Sequence, residues 1–423
     1  MQMKYILHKK GSGTDFLLTF LFYILSALTI MVMACMWLRM EPLFYKLNIF
    51  RTCIPAVTLV ILFAKYLQNR SLQISRLFFL DFAFIAVCIL LSVLVNPSSI
   101  YVASFTILLI ASSWLILAYL LSASELERLY ETFINLMCLI SAVSIPLWIL
   151  GGILGVLSPT ATVTYIWDGE RFANTFWGVY FIPRIQMMDI LAIRIPKNCG
   201  IFAEGTMYGF LLVVAYLLHR NCLRRSGRKR ILLAVVIIST LSVSPVLALL
   251  MDEAFYFILQ KNKNHNMEIL RKISIPLFLI GFGVAFLFIL QAKSETGSYG
   301  VRMDHLLGCL RIFGDSFPFG VGYGERDSLF PHFTYAQGLS VGLPYLLAQG
   351  GIGALVILVV KFANILSCSI RWKDVGGIAF AGVFFWISLL TNNTAHPIFW
   401  MVLMLVFTSY KKMLHYERSK VDA

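Results

Sequence analysis

The chain has 423 residues, of which 59% are hydrophobic and 13% are charged; soluble domains carry about 25% charged residues, so a soluble fold is excluded. The net charge of +14 comes from basic residues that lie between apolar runs, which favours membrane topology over a nucleic-acid partner. The eight cysteines stand singly, without C-x-x-C pairs or histidines at metal-ligand spacing, so we expect neither a metal nor another cofactor.

Apolar runs long enough to cross a bilayer recur along the chain, since spanning about 30 Å of hydrocarbon takes roughly 20 residues. The runs that each predict one span are 16–38, 49–67, 77–95, 100–121, 132–157, 201–218, 273–291, 339–361, 376–392 and 397–410. A longer run, 231–259, is broken at Ser242-Val243-Ser244-Pro245 and predicts two short helices that reach the outer face and return. The sequence therefore predicts one all-α membrane domain over 1–423, a bundle of about 12 transmembrane helices.

Basic residues set the predicted orientation, because short loops rich in Lys and Arg stay on the cytoplasmic side. The lysines near the N-terminus, the block from Arg220 to Arg230 and the basic C-terminal tail all fall inside if the chain crosses twelve times. We therefore expect a multi-pass protein of the bacterial inner membrane with both termini in the cytoplasm. Two long segments, 158–200 and 292–338, then form large periplasmic loops.

The two predicted outer loops contain basic residues that the charge rule does not explain. These residues are Arg171, Arg184, Arg194, Lys197, Arg302, Arg311 and Arg326. In one interpretation nearby acidic residues simply balance them, and long loops escape the charge rule. In the interpretation that we prefer they form an anion site, because a guanidinium matches phosphate oxygens bidentately.

Two acidic residues, Asp252 and Glu253, fall within the apolar run 231–259. Charged residues at such positions pair with one another or mark a functional site. We expect them to pair with a buried arginine or to line a wet cavity, with a purely structural role as the alternative.

A glycine-rich stretch lies in the second predicted loop, where residues 317–324 read Phe-Pro-Phe-Gly-Val-Gly-Tyr-Gly. Glycines at alternate positions suggest a phosphate cradle, but a structural turn in which glycine supplies positive φ fits the pattern at least as well. A dinucleotide-binding fingerprint is excluded, because the third glycine spacing and the surrounding strand-helix unit are missing.

The order of these motifs resembles that of bacterial O-antigen polymerases of the Wzy type and the related O-antigen ligases. That family has an Arg before a P-x-G-x-G segment, then a His, then a G-x-x-G that opens a helix. The matching residues here are, in order, Arg302, 318–322, His332 and 350–353. A second match is the stretch 200–204, Gly-Ile-Phe-Ala-Glu, which resembles the family's G-x-F-x-E-P with Gly205 in place of proline.

Some polymerases of this family also carry Arg and Gly at characteristic separations in their outer loops. The separations from Arg184 to Gly200 and from Arg311 to Gly322 are similar to those. Two features depart from the pattern: Phe rather than Asn follows His332, and His332 lies farther from the glycine-rich helix start. His305 is therefore the alternative histidine.

The resemblance implies a GT-C-like glycosyltransferase that joins repeat units carried on undecaprenyl pyrophosphate into O-antigen, capsular polysaccharide or exopolysaccharide. Arg302 and Arg184 would stabilise the departing pyrophosphate. Either Glu204 or His332 would accept the proton of the attacking hydroxyl, and a position at a helix start makes helix capping the alternative role for Glu204. Substrate binding would fall to a wider set, Arg194, Lys197, Arg311, Arg171, Gly320, Gly322 and His305.

The expected partners are the lipid-linked glycan, membrane lipid and a chain-length regulator protein. Since the outer loops hold no D-x-D type of carboxylate pair, we expect glycosyl transfer without a metal ion.

Two other functions stay open. Ligation of finished glycan to a lipid acceptor is the near alternative, and a lipid-linked glycan flippase or secondary carrier is the alternative from a different class. A transporter is expected to show repeated halves and polar residues spread through midplane helices. In this chain the two halves differ and the polar residues concentrate in the two predicted outer loops, which favours an enzyme.

Overall fold

The computed structural model describes residues 13–41, 43–69, 74–167, 169–190, 193–259, 297–325, 329–334 and 340–422. Its first helices, α1, α2 and α3, are Gly13–Val32, Leu47–Asn69 and Arg76–Val93. The short 3-10 turns Met36–Arg39 and Leu43–Lys46 separate α1 from α2. The next two helices contain π-helical turns: α4 consists of Pro97–Ser99, Ile100–Val102, Ala103–Leu109 and Ile110–Leu120, and α5 of Ala123–Leu147 and Trp148–Ile153.

The remaining helices follow a short β-rich segment. α6 is Gly205–Leu217 extended by Leu218–Cys222, α7 is Arg228–Ser239, and α8 is Val243–Leu259. Beyond them, α9 is Gly297–Asp315, α10 is Leu343–Arg371, and α11 is Val375–Leu390. The last helix, α12, consists of Pro397–Trp400, Met401–Val406 and Phe407–Asp422, and the 3-10 turn Phe330–His332 lies between α9 and α10.

Seven of these helices are long and apolar enough to cross a membrane. They are α1, α2 together with the turn before it (Leu43–Gln68), α3, α4, α5, α10 and α12. A shorter apolar helix is α11. The chain is therefore a polytopic helical membrane protein, as its composition predicts. The predicted span 273–291 lies outside the described residues, so the count of about 12 crossings stays a prediction.

The break predicted within 231–259 is confirmed, since α7 ends at Ser239 and α8 begins at Val243. The two helices pack against each other and against α6. Every residue of α6 from Gly205 to Leu217 is buried, as expected for a helix that is apolar on all sides. This central helix therefore holds the residues at its two ends, Glu204 and Arg220, in fixed positions.

The segment 158–200, predicted as a plain loop, contains two antiparallel sheets, and the all-α assignment is corrected to that extent. The strands β1 (Ala161–Ile166), β2 (Glu170–Phe176) and β3 (Tyr180–Pro183) pair in sequence order, and β4 (Met187–Ile190) pairs with β5 (Ile193–Pro196). β1 is rich in the β-branched and aromatic residues that favour strands. One face of the larger sheet buries Tyr165, Ala173 and Phe181 against Met36 and Ala203, so the sheet covers the chain that enters α6.

The segment 292–338 was also predicted as a loop, yet α9 occupies 19 of its residues. Cys309 and Ile312 of α9 are buried with Phe333, Tyr345 and Ala348. This contact orients α9 along the first turns of α10.

α10 does not begin at the predicted glycine motif 350–353 but at Leu343, and it is interrupted at Gly351, which has φ 56° and ψ −143°. The glycine-rich stretch 317–324 enters this break. The N–H groups of Val321 and Gly322 donate to the Ala348 and Gln349 carbonyl oxygens at 3.0 Å, and a Cβ at Gly320 would collide with the backbone of Gln349 and Gly351. The glycines thus allow two backbone segments to cross at close range.

Candidate functional site

Glu204 lies at the N-terminus of the central helix α6, where it occupies the N-cap position in an extended conformation. Its half-buried side chain makes no capping hydrogen bond, so the hydrogen-bonded cap, one of the two roles expected from the sequence, is not observed. The carboxylate still lies at the positive end of the helix dipole. The preceding backbone is held by Asn198, whose amide donates to Ser239 Oγ at 2.9 Å and whose Oδ1 accepts from Gly200 N–H.

Arg302 lies on α9, and its half-buried guanidinium reaches the ends of two other helices. Nη1 donates to Ser244 Oγ at 3.3 Å and to the Leu390 carbonyl oxygen at 3.4 Å. Burial lowers the pKa of the Arg302 guanidinium, and the charge of Glu204 opposes that shift. Ser242, two residues before Ser244, places its Oγ 3.3 Å from the position that a Cβ of Gly205 would occupy. Arg302 therefore reaches the region of the α6 N-terminus, where Glu204 lies, and the two residues proposed for catalysis come from separate sequence motifs.

Next to Arg302 lies a polar segment, 391–394, that the sequence prediction divided between the span 376–392 and the connection to the span 397–410. Leu390, whose carbonyl accepts from Arg302, is followed by Thr391, Asn392, Asn393 and Thr394. Ser388, Thr391 and Asn393 are at most 2% exposed. Their polar side-chain atoms, Ser388 Oγ, Thr391 Oγ1 and both amide atoms of Asn393, have no hydrogen-bond partner among the described residues. The signal available in the sequence was the run of four polar residues between apolar spans.

The first turn of α10 packs directly against this polar segment because position 342 is glycine. A Cβ there would collide with the carbonyl oxygens of Ser388 and Thr391. Gly342 N–H donates to the Leu389 carbonyl oxygen, and Thr394 Oγ1 donates to the Gly342 carbonyl oxygen at 3.5 Å. The polar segment is thereby fixed between α9, α10 and α11.

An apolar groove with a volume of about 560 Å³ runs between α8, α9, α10 and α11. One of its ends adjoins Arg302, because its lining includes Leu389, next to the Leu390 carbonyl, and Leu306, one turn after Arg302 on α9. From there the groove follows the helices through Leu358 and Phe362 to Leu366. A half-buried cation thus lies at the end of a long apolar surface.

The two candidate histidines have different environments. His305 is 1% exposed, accepts from Ser340 N–H at Nδ1 and packs edge-on against the Phe333 ring at 4.9 Å. The His332 side chain is exposed, and its carbonyl oxygen lies close to Gly308 of α9. Gly308 is six residues beyond Arg302, which places it about 9 Å farther along the helix axis.

The other predicted binding residues lie around this centre rather than in it. Arg184 is exposed at the end of β3, with its guanidinium 5.9 Å from the centre of the Phe172 ring. Arg171 Nε donates to the Trp167 carbonyl oxygen at 3.4 Å. Arg194 is exposed on β5, and Arg311 is exposed on the last turn of α9. Lys197 is half-buried beside Gly205, which makes it the basic residue of this set placed at the α6 N-terminus.

Two of the three glycines in the 317–324 stretch have backbone N–H groups that already donate to protein carbonyls. Gly320 N–H donates to Ser316 O and Gly322 N–H to Gln349 O, both at 3.0 Å. This geometry favours the structural turn over the phosphate cradle. Arg326, the remaining basic residue of the predicted outer loops, lies outside the described residues.

Asp252 and Glu253 form the predicted pairing with a buried arginine, and this expectation is confirmed. Arg220 Nη1 lies 2.7 Å from Asp252 Oδ2 and 2.6 Å from Glu253 Oε1, and its guanidinium stacks on the Tyr256 ring. Arg220 follows Glu204 by sixteen residues of continuous helix, which is about 24 Å. The ion pair therefore stabilises the opposite end of α6 and is separate from the Arg302 site.

Arg302, Glu204 and the unpartnered polar atoms of Ser388, Thr391 and Asn393 thus form the candidate site, at one end of the apolar groove. Within the described part of the chain, no three His, Cys, Asp or Glu side chains cluster as metal ligands do. No family model, curated protein or solved structure matches this chain.

Proposed function

We propose that this protein is a membrane glycosyltransferase that polymerises oligosaccharide repeat units carried on undecaprenyl pyrophosphate, at the periplasmic face of the inner membrane and without a metal ion. The observation that carries the proposal is the half-buried Arg302 at one end of the apolar groove, in the region of the α6 N-terminus that holds Glu204. A lipid pyrophosphate has matching parts, an anionic head joined to an apolar chain. Its head would contact Arg302 while the chain follows the groove between α8 and α11.

In the proposed reaction a hydroxyl oxygen of the acceptor glycan bonds to C1 of the donor glycan. The bond between C1 and the pyrophosphate oxygen breaks, and the pyrophosphate leaves with the electron pair. Negative charge therefore grows on the leaving group, where Arg302 can donate hydrogen bonds to it. In other enzymes one such donor stabilises the transition state by about 3 to 4 kcal/mol.

The acceptor hydroxyl must lose its proton, and we assign Glu204 as the base that takes it. Glu204 occupies the N-cap position of α6, in the region that Arg302 reaches through Ser244, so its carboxylate lies near the guanidinium that would bind the leaving group. A base near the attacking oxygen typically contributes about 10²- to 10⁴-fold in rate. His332, the other candidate from the sequence, is exposed and lies beside Gly308, a more distant turn of α9, so the geometry supports Glu204 better.

Purified protein in lipid nanodiscs, incubated with a synthetic undecaprenyl-pyrophosphate repeat unit, tests the proposal. We expect a ladder of products on a gel, each one repeat unit longer than the last, and release of undecaprenyl pyrophosphate. Transfer only to an added lipid acceptor would replace polymerase by ligase. If vesicles containing the protein move the lipid-linked glycan across the bilayer without extending it, the protein is a flippase and the proposal is wrong.

A further inference from the structure

Ser388, Thr391 and Asn393 form a buried cluster whose side chains make no hydrogen bonds through four of their polar atoms within the described residues. Asn393 and Ser388 are 0% exposed and Thr391 is 2% exposed, yet four of their polar side-chain atoms have no partner within the described ranges. Most buried polar groups in native proteins are hydrogen-bonded. Four unpartnered polar atoms within residues 388–393 therefore indicate that a bound molecule supplies their hydrogen bonds.

The cluster carries no charge, and its groups can both donate and accept hydrogen bonds. Each hydroxyl both donates and accepts, and the Asn393 amide contributes an acceptor and two donors. Phosphate oxygens only accept hydrogen bonds and pair best with cations such as Arg302. Sugar hydroxyls, in contrast, donate and accept like the cluster itself, so a saccharide matches it better than an anion does.

The cluster also lies at the right place for one particular sugar. Thr391 directly follows Leu390, whose carbonyl accepts from Arg302 at 3.4 Å. In a lipid-pyrophosphate glycan the first sugar is bonded directly to the phosphate that Arg302 would contact. Hydroxyls of that sugar are therefore the groups that can reach Thr391 and Asn393 while the pyrophosphate remains at Arg302.

We propose that Ser388, Thr391 and Asn393 bind hydroxyl groups of the donor's first sugar, the one attached to pyrophosphate. This inference rests on the proposed function, since it assigns the pyrophosphate of the donor to Arg302 and the first sugar to the cluster. The cluster selects a glycan-bearing lipid pyrophosphate over the bare one, which is also the by-product that must leave after transfer.

The test measures the affinity of two ligands, undecaprenyl-pyrophosphate glycan and undecaprenyl pyrophosphate, for wild-type protein and for Thr391→Val and Ser388→Ala. Valine matches the shape of threonine but lacks the hydroxyl, and neither change creates a new polar group. We expect the glycan-bearing ligand to bind about 3- to 10-fold more weakly to each variant, as for one lost hydrogen bond. Affinity for the bare ligand should stay unchanged.

Thermal unfolding without ligand separates sugar binding from a structural role. Removing an unpartnered hydroxyl should leave the melting temperature of Thr391→Val unchanged or raise it. The matched control is Asn198→Ala, which removes a buried side chain with satisfied hydrogen bonds; it should lower the melting temperature without changing the ratio of the two affinities.

Two results would overturn the proposal, and they differ. If wild-type protein prefers the glycan-bearing ligand and Thr391→Val and Ser388→Ala bind both ligands like wild type, or unfold at lower temperature, the cluster holds structural water rather than sugar. If wild-type protein binds neither ligand, the proposed function itself fails and the sugar site fails with it.

Discussion

Arg302 combines a fixed position with a charge that the protein only partly neutralises, because its Nη1 donates to a hydroxyl and a carbonyl rather than to a carboxylate. We expect Arg302→Ala to lower the rate of chain extension about 10²- to 10³-fold, the usual cost of removing one donor to a developing anion. Arg302→Lys should restore little, since an ammonium lacks the bidentate fork.

The control for this prediction is Arg228→Ala, which removes an exposed guanidinium at the start of α7. It should polymerise at the wild-type rate. Protein level and melting temperature, measured for all three variants, must remain close to wild type. Full-length glycan made by Arg302→Ala would show that the guanidinium does not serve the reaction.

Glu204 and His332 are the two candidates for the base, and paired substitutions distinguish them. Glu204→Gln keeps the shape of the side chain but cannot accept the proton, so we expect a loss of about 10²- to 10⁴-fold in turnover with donor binding retained. His332→Ala should cost much less because the ring is exposed. Should His332→Ala be inactive and Glu204→Gln active, the assignment moves to the histidine.

Arg184 was expected from the sequence to be as important as Arg302, but its side chain is exposed on the sheet and stacks on Phe172. We therefore expect Arg184→Ala to raise the concentration of donor needed for half-maximal rate more than it lowers the maximal rate. Titration of the purified variant with donor measures both quantities. A loss as large as that of Arg302→Ala would place Arg184 in the reacting centre.

At the scale of elements, the crossing of the 317–324 stretch with the break in α10 holds α9 close to the site. Gly351 has φ 56°, and a Cβ there would collide with the backbone at Pro318 and Phe319. We expect Gly351→Ala to lower the free energy of unfolding by about 2 to 5 kcal/mol, from the left-handed conformation and the overlap together. Gly314→Ala on α9 is the control, because open space surrounds its Cβ position, and it should be neutral or stabilising.

Elements that depend on hydropathy alone could be predicted from the sequence. The long apolar runs within the described residues form helices, and the run 231–259 is divided, as predicted, into α7 and α8, with Ser244 and Pro245 in the first turn of α8. β1 and β2 were missed because they are short and half-exposed, and β3 because it has only four residues, so their patterns are weak beside those of the spans. α9 was missed because its 19 residues mix glycines and charged residues with apolar ones, a composition that is too polar for a span and typical of a loop.

The candidate site was predictable only in part, because contacts between distant parts of the chain form it. Arg302 and Glu204 belong to recognisable motifs, but their relative position depends on contacts that both α6 and Arg302 of α9 make with α8. Asn393 carries no motif, and its significance comes from complete burial without a partner. Gly342 makes this burial possible, because it lets α10 pack closely against the polar segment. No local sequence pattern reveals such a contact.

At the scale of the whole molecule, ion pairs link the membrane helices to one another. Lys361 of α10 is 3% exposed, and its Nζ lies 2.6 Å from Asp81 Oδ2 on α3 and 3.0 Å from Thr408 Oγ1 on α12. Removing one partner leaves a buried charge, so we expect Lys361→Ala to cost about 3 to 5 kcal/mol of stability. The double variant Lys361→Met with Asp81→Leu should recover most of it, as measured by unfolding in detergent. A double variant as unstable as the single one would contradict this account.

The orientation of the whole bundle decides which membrane face carries the site. Glu204 and Arg220 lie at opposite ends of α6, about 24 Å apart, and the basic block after Arg220 is expected in the cytoplasm. A cysteine introduced at Ser226 should therefore resist an impermeant maleimide in intact spheroplasts, whereas one at Val179, exposed on the larger sheet, should react. Both belong in a background with Cys53 and Cys138 replaced by serine, since the other six cysteines are buried. Labelling at Ser226 with protection at Val179 would invert the topology and place Arg302 and Glu204 at the cytoplasmic face, where a periplasmic polymerase cannot have its site.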